Sequence, residues 1–96
     1  MIPENRTPTH PGVILRDEFL QPLGITQVEL ADHLEVPVQR INEIVRGKRG
    51  ITPATAWLLA GAFDTSPEFW LNLQQNYDLA INRPESIARP LRKAVG

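Results

Sequence analysis

Helix punctuation constrains this chain more than any other feature. Thr52-Pro53 and Ser66-Pro67 each pair a hydroxyl, which can accept from the free N–H groups of a first turn, with a proline whose missing N–H costs nothing there. "TQVE" offers Thr26 as a cap and Glu29 as its capping-box partner. An earlier helix starts after Thr9-His10-Pro11, carries Ile14, Leu15, Glu18 and Phe19, and is expected to stop at Pro22 and Gly24. Glu35-Val36-Pro37 separates the second helix from the third. Pro37 fits a first turn, and Gly47 fits the left-handed position past the end. No stretch alternates as a strand would. The fold expected is therefore all-α, with five helices.

Each helix has an apolar side at helical spacing: Val28, Leu30, Ala31 and Leu34 on the second, and Ala56, Leu59, Ala60 and Phe63 on the fourth. The 96 residues suit a single domain (1–96), with a helical core over 10–82, a helix-turn-helix at 26–47, and a short C-terminal helix or tail over 83–96 after Arg83-Pro84. The absence of cysteine excludes a disulfide frame and a thiolate zinc site. "MIPENRTPTHPGV" has no long apolar segment, and no run is long enough to span a bilayer, so the expectation is a soluble, cytoplasmic protein.

A net charge of −1 gives no global sign of a nucleic-acid partner, but the distribution does. Residues 17–35 carry Asp17, Glu18, Glu29, Asp32 and Glu35 without a Lys or Arg, whereas residues 39–49 carry Arg40, Arg46, Lys48 and Arg49 against Glu43 alone. Arg83, Arg89, Arg92 and Lys93 form a second basic run. At about 100° per residue, Ile41, Ile44 and Val45 share one arc of the third helix. Gln39, Asn42, Glu43 and Arg46 take the opposite arc, with Arg40 and Val38 at its edges. Two short helices joined by a tight break, the second with a polar arc and a basic loop beyond it, are the parts of a helix-turn-helix. Glutamine suits adenine, arginine suits guanine, and a carboxylate accepts from cytosine, so Gln39, Arg40, Asn42, Glu43 and Val38 are expected at base edges. Gln27, Arg46, Lys48 and Arg49 are expected mainly to hold phosphates.

"TQVELADHLEVPVQRINEIVRGKRGIT" resembles the helix-turn-helix of phage-repressor-like regulators, with Gln27, Ala31, Ile41, Ile44 and Gly47 matching the pattern. "HPGVILRDEFLQPLGIT" before it and "TSPEFWLNLQQNYDL" after it resemble the HigA antitoxins, also labelled VapI-type, of bacterial toxin–antitoxin modules. The resemblance implies a lambda-repressor-like fold and a homodimer that neutralises a HigB-type ribonuclease toxin and represses its own operon by binding operator DNA. Four positions depart from the pattern: Glu35 replaces a turn glycine, Pro37 a Ser or Thr cap, Val38 a polar reader, and Val13 an acid after "HPG".

Nothing else in the chain assembles an enzyme, a cofactor site or a metal site. Glu29 and His33 are four apart on one helix, but two ligands make a weak site. Asp17 and Glu18 diverge by about 100° and cannot flank one bond. Five short helices cannot readily bury both Trp57 and Trp70 with the whole stripe of the fifth helix. Phe69, Trp70, Leu73 and Tyr77 are therefore expected to be part core and part dimer seam. Two other functional readings fit the same residues: a stand-alone regulator without a toxin, and an interaction module that has lost DNA binding.

Overall fold

The computed structural model describes residues 7–92, and within them five helices follow one another. Lys93 and the rest of the C-terminal tail lie outside the described residues. Helix α1, residues 11–23, is one continuous rod in three parts: Pro11–Ile14 and Gln21–Leu23 are α-helical, and Leu15–Leu20 between them is a π-helix. Pro22 accounts for the wide turn. It donates no N–H, and its ring crowds the carbonyl four residues back, a conflict that an extra residue per turn relieves. Pro22 thus sits inside α1 rather than stopping it. Gly24, left-handed at φ 65°, ends the helix.

Helix α2, Gln27–Leu34, opens on the expected capping box: Glu29 N–H donates to Thr26 Oγ1 (3.0 Å), and Thr26 N–H donates to Glu29 Oε1 (3.2 Å). Helix α3, Val38–Val45, has Pro37 at the cap itself, one position before the first turn, with no side-chain bond to the free N–H groups. Its far end is closed by a Schellman pair, in which Lys48 N–H donates to Glu43 O (2.8 Å) and Gly47 N–H to Ile44 O (3.0 Å). Gly47 takes the left-handed conformation this requires, at φ 74°. Helices α4, Pro53–Phe63, and α5, Pro67–Ile81, start as the cap–proline pairs predict, with Thr52 and Ser66 accepting from Thr55 and Phe69. Among the described residues no helix follows Asn82, and residues 83–92 form a tail.

The helices α2 and α3 pack as one pair and α4 and α5 as another, and α1 lies across α3 and α5. Leu15, Ile41, Ile44, Leu59 and Trp70 meet between them, fully buried. Trp70 satisfies its one polar atom by donating Nε1–H to Thr65 Oγ1 at 2.8 Å. Two expectations are corrected here. Val28, assigned to the inner side of α2, is 56% exposed. Trp70 belongs wholly to the core of its own chain, so it cannot form a dimer seam.

Glu35 caps α2 in the left-handed region, at φ 57° and ψ 45°. A β-carbon there costs about 1–2 kcal/mol, against about 0.5–1 kcal/mol of extra chain entropy that a glycine loses on folding. Glu35→Gly should therefore stabilise the domain by roughly 0.5–1 kcal/mol and raise Tm by about 4 °C in a thermal melt. An unchanged or lower Tm would show that the turn relieves this strain by other contacts.

Candidate nucleic-acid interface

Helix α3 turns Ile41, Ile44 and Val45 into the core and leaves its other arc outside. Val38, Gln39 and Arg46 are exposed, and Arg40, Asn42 and Glu43 are half-buried. The exposed Lys48 and Arg49 follow in the loop past the Schellman turn. Pro37, Gln39, Arg40, Glu43 and Arg49 line an open polar cleft of about 210 Å³. Four of the side chains assigned from the sequence, Gln39, Arg40, Glu43 and Arg49, thus share one surface.

Four of the assigned side chains are also tied in two pairs, which the helical wheel does not show. Asn42 Nδ2 donates to Gln27 Oε1 at 3.2 Å, linking the middle of α3 to the first turn of α2. Asn42 thereby braces the two helices, and the bond leaves the amide N–H groups of Gln27 unused. Arg49 sets Nε and Nη2 against the same oxygen of Glu43, at 3.0 and 2.9 Å. That pair offsets one positive and one negative charge on the reading face. Among the described residues Arg46 and Lys48 have no ion-pair partner.

Residues far along the chain hold this surface in place. Gln74 of α5 accepts the Ile51 N–H at 2.7 Å and donates to Asp78 at 2.8 Å, anchoring the end of the basic loop. On the other side, α1 sits directly on the last turn of α3. A β-carbon added at Gly12 would lie 1.8 Å from the Ile44 carbonyl oxygen. His10 fixes that approach by accepting Gly12 N–H on Nδ1 (2.9 Å), and its ring meets Tyr77 edge-on at 4.9 Å between centroids. The sequence carries no signal for these roles of Gly12, His10 and Gln74. Their partners Ile44, Tyr77 and Ile51 lie more than 20 residues away.

Burial lowers the His10 pKa below its ordinary value, with Asp78 acting weakly in the opposite direction. Protonation would also turn the accepting Nδ1 into a donor facing the Gly12 N–H. The unfolded chain therefore binds the proton more readily, and stability present above about pH 6.5 is lost as pH falls below it. Tm should drop between about pH 7 and about pH 5, and His10→Asn, which keeps an accepting cap but does not titrate, should flatten that slope. Equal slopes in the two proteins would remove His10 from the account.

The expected α5 seam is largely spent inside the chain. Leu73 packs against the core, Tyr77 against His10, and Phe69 against Trp70 and Phe19, with Leu73 and Tyr77 half-buried and Phe69 38% exposed. Glu29 is committed to its cap. No helix among the described residues is long and apolar enough to cross a membrane.

Comparison with known proteins places this geometry. A helix-turn-helix family model matches residues 17–70. Virulence-associated protein I of Dichelobacter nodosus is 50% identical over 72 residues, which cover 75% of this chain and 67% of that protein. The structure of the Pseudomonas aeruginosa antitoxin HigA with the higBA promoter superposes with a TM-score of 0.76 at 50% identity, over 77% of this chain and 80% of that one. That of antitoxin GraA in complex with its operator superposes with a TM-score of 0.82 at 34% identity, over 96% and 100% of the two chains. The relatives whose names state a role are antitoxins and transcriptional regulators, not enzymes. With its capped α2–α3 pair, exposed polar arc and basic loop, the chain belongs to the helix-turn-helix family, in its HigA/VapI-type antitoxin branch.

Proposed function

We propose that the protein is a dimeric antitoxin of the bacterial cytoplasm. It binds a HigB-type ribonuclease toxin and represses its own operon by placing α3 in the major groove of operator DNA. The observation that carries the DNA reading is the exposed arc of α3 continuous with an anchored basic loop, on a fold whose neighbours are solved on a promoter and an operator. Two copies would set their reading helices about 34 Å apart, one helical turn, on a palindrome. Gln39, Arg40 and Val38 meet base edges, Glu43 sits among them, and Gln27, Arg46, Lys48 and Arg49 face phosphates. The left-handed Glu35 and the capping Pro37 leave the α2–α3 pair intact, which argues against a module that has lost DNA binding.

For the toxin, charge gives the direction. A protein that cuts RNA presents cations to phosphate, and Glu18, Glu29, Asp32 and Glu35 lie exposed on α1, α2 and their margins. Asp17 is also exposed, but it is held by Arg16 at 2.7 Å, whose hydrogen bond keeps its carboxyl below the ordinary range. The test joins a gel shift on the protein's own promoter to co-expression with the product of the neighbouring gene. Binding to both partners, with Asp17→Lys/Glu18→Lys losing the toxin but keeping the DNA, supports the two-surface antitoxin. DNA binding with no toxin-like neighbour makes the chain a stand-alone regulator. No shift on any promoter fragment at low salt overturns the DNA reading.

A further inference from the structure

Past α5 the chain turns cationic. Residues 83–92 form no helix or strand, and every one of them is exposed. They hold Arg83, Arg89 and Arg92 against Glu85 alone, in a chain whose net charge is −1. Among the described residues none of these arginines has an ion-pair partner. Arg83 has a local reason to be cationic, since it follows the negative end of the α5 dipole. Arg89 and Arg92 lie beyond that last turn and have none. Arg83 and Arg89 each precede a proline, which fixes its own φ and holds the residue before it extended. Such a stretch loses little conformational freedom when it is laid along a partner.

The tail leaves the fold across one groove from the end of the basic loop. Arg83 and Pro84 line that open groove, of about 680 Å³, together with Ile51 and Gln74. Ile51 and Gln74 form the bond that anchors the loop, and Gly50 packs on the Gln74 side chain, where an added β-carbon would stand 3.0 Å from Cδ. Asp78, the one carboxylate in the groove, is engaged by Gln74 at 2.8 Å. We propose that residues 83–92 are a second DNA contact, an extended arginine tail that follows the phosphates flanking the base pairs under α3. The contact rests on the DNA-binding reading and adds to it a sequence-blind surface outside the helix-turn-helix. Continuity selects the occupant, because the cations Lys48 and Arg49 of the loop lead by way of the groove to Arg83 and the tail. Charge selects it too, because a protein that cuts RNA is itself cationic and would repel three arginines. Arginine at all three positions suits phosphate, whose oxygens its planar fork can meet in pairs. Extended at about 3.1 Å per residue, the tail reaches about 28 Å from Arg83 to Arg92, the rise of roughly eight base pairs.

Binding of the full chain to two duplexes tests this, one trimmed to the palindrome of its own promoter and one carrying about 10 further base pairs of unrelated sequence at each end. The wild type should bind the longer duplex roughly tenfold tighter at low salt. Arg89→Gln/Arg92→Gln should match the wild type on the trimmed duplex and lose that gain, with a salt slope on the longer one flatter by about two units per bound copy. Glu85→Gln, which removes the tail's one carboxylate, should enlarge the gain. These side chains are exposed and make no ion pair among the described residues, so Tm and circular dichroism should not change. Replacing the flanking sequence should leave the gain as it is. A wild type that binds both duplexes equally, or a double variant that keeps the gain, overturns the tail contact and leaves the operator reading standing. A gain that follows the flanking sequence overturns the phosphate path. A wild type that binds neither duplex overturns the operator reading and the tail contact with it. If the double variant keeps the gain but loses co-expressed toxin, the tail belongs to the toxin instead.

Discussion

Gly12→Ala should cost the fold about 3 kcal/mol and lower Tm by on the order of 15 °C, the largest effect expected of so small a change. The reason is what the new methyl meets. Its carbon would stand 1.8 Å from the Ile44 carbonyl oxygen and 2.7 Å from the carbonyl carbon, atoms of a helix backbone rather than a pliable side-chain tip. That carbonyl already accepts the Gly47 N–H that closes α3, so moving it loosens the Schellman turn, and withdrawing α1 strips cover from Leu15 and Ile44. His10 cannot follow α1 freely, because its cap bond to Gly12 ties it to α1 while its contact with Tyr77 ties it to α5. Thermal melts decide the point. A Tm within about 3 °C of wild type would mean that α1 can lift from α3 at little cost. Any folded fraction should also bind DNA less well, since the displaced turn carries the basic loop.

The local features of this fold were legible because each is a short-range hydrogen-bonding problem. The Thr26–Glu29 box, the cap–proline pairs and left-handed Gly47 are settled within a few residues, and the structure has them where the punctuation predicts. What the sequence did not show depends on partners far along the chain. Pro22 reads as a stop, yet a π turn lets α1 pass through it. The α5 stripe reads as surplus, yet Trp70 is taken up by the core and the surplus falls on Trp57, because α1 packs on α5 while none of the described residues covers the outer face of α4. On the reading face the wheel gives the arc but not the cross-links. Asn42 finds Gln27 and Glu43 finds Arg49 only once the α2–α3 turn and the Schellman loop have set their distances.

Those cross-links shape the second large effect expected, on DNA. Arg40→Ala and Gln39→Ala should each cost roughly 1–3 kcal/mol on the operator and relax preference at the base pair contacted, with little change on random duplex. Lys48→Ala has no ion pair to lose, so it should weaken operator and random DNA alike and reduce the slope of log K against log salt by about one unit. Arg49 differs, because Glu43 already holds it at 2.9 Å. In the free protein its charge is largely compensated, so Arg49→Ala removes a cation and leaves a carboxylate facing phosphate. Glu43→Gln does the reverse and releases the guanidinium, which should raise affinity for random DNA and steepen the salt slope by about one unit. That gain comes at the expense of discrimination, because counterion release is blind to sequence. Combining Glu43→Gln with Arg49→Ala should return the salt slope close to the wild-type value, since the pair contributes no net charge. If Glu43→Gln instead lowers affinity at one operator position and leaves random DNA unchanged, Glu43 reads a base directly and does not restrain Arg49. If all the variants shift operator and random DNA equally, the division into base readers and phosphate positioners is wrong, and recognition resides in the shape of the duplex rather than in the arc of α3.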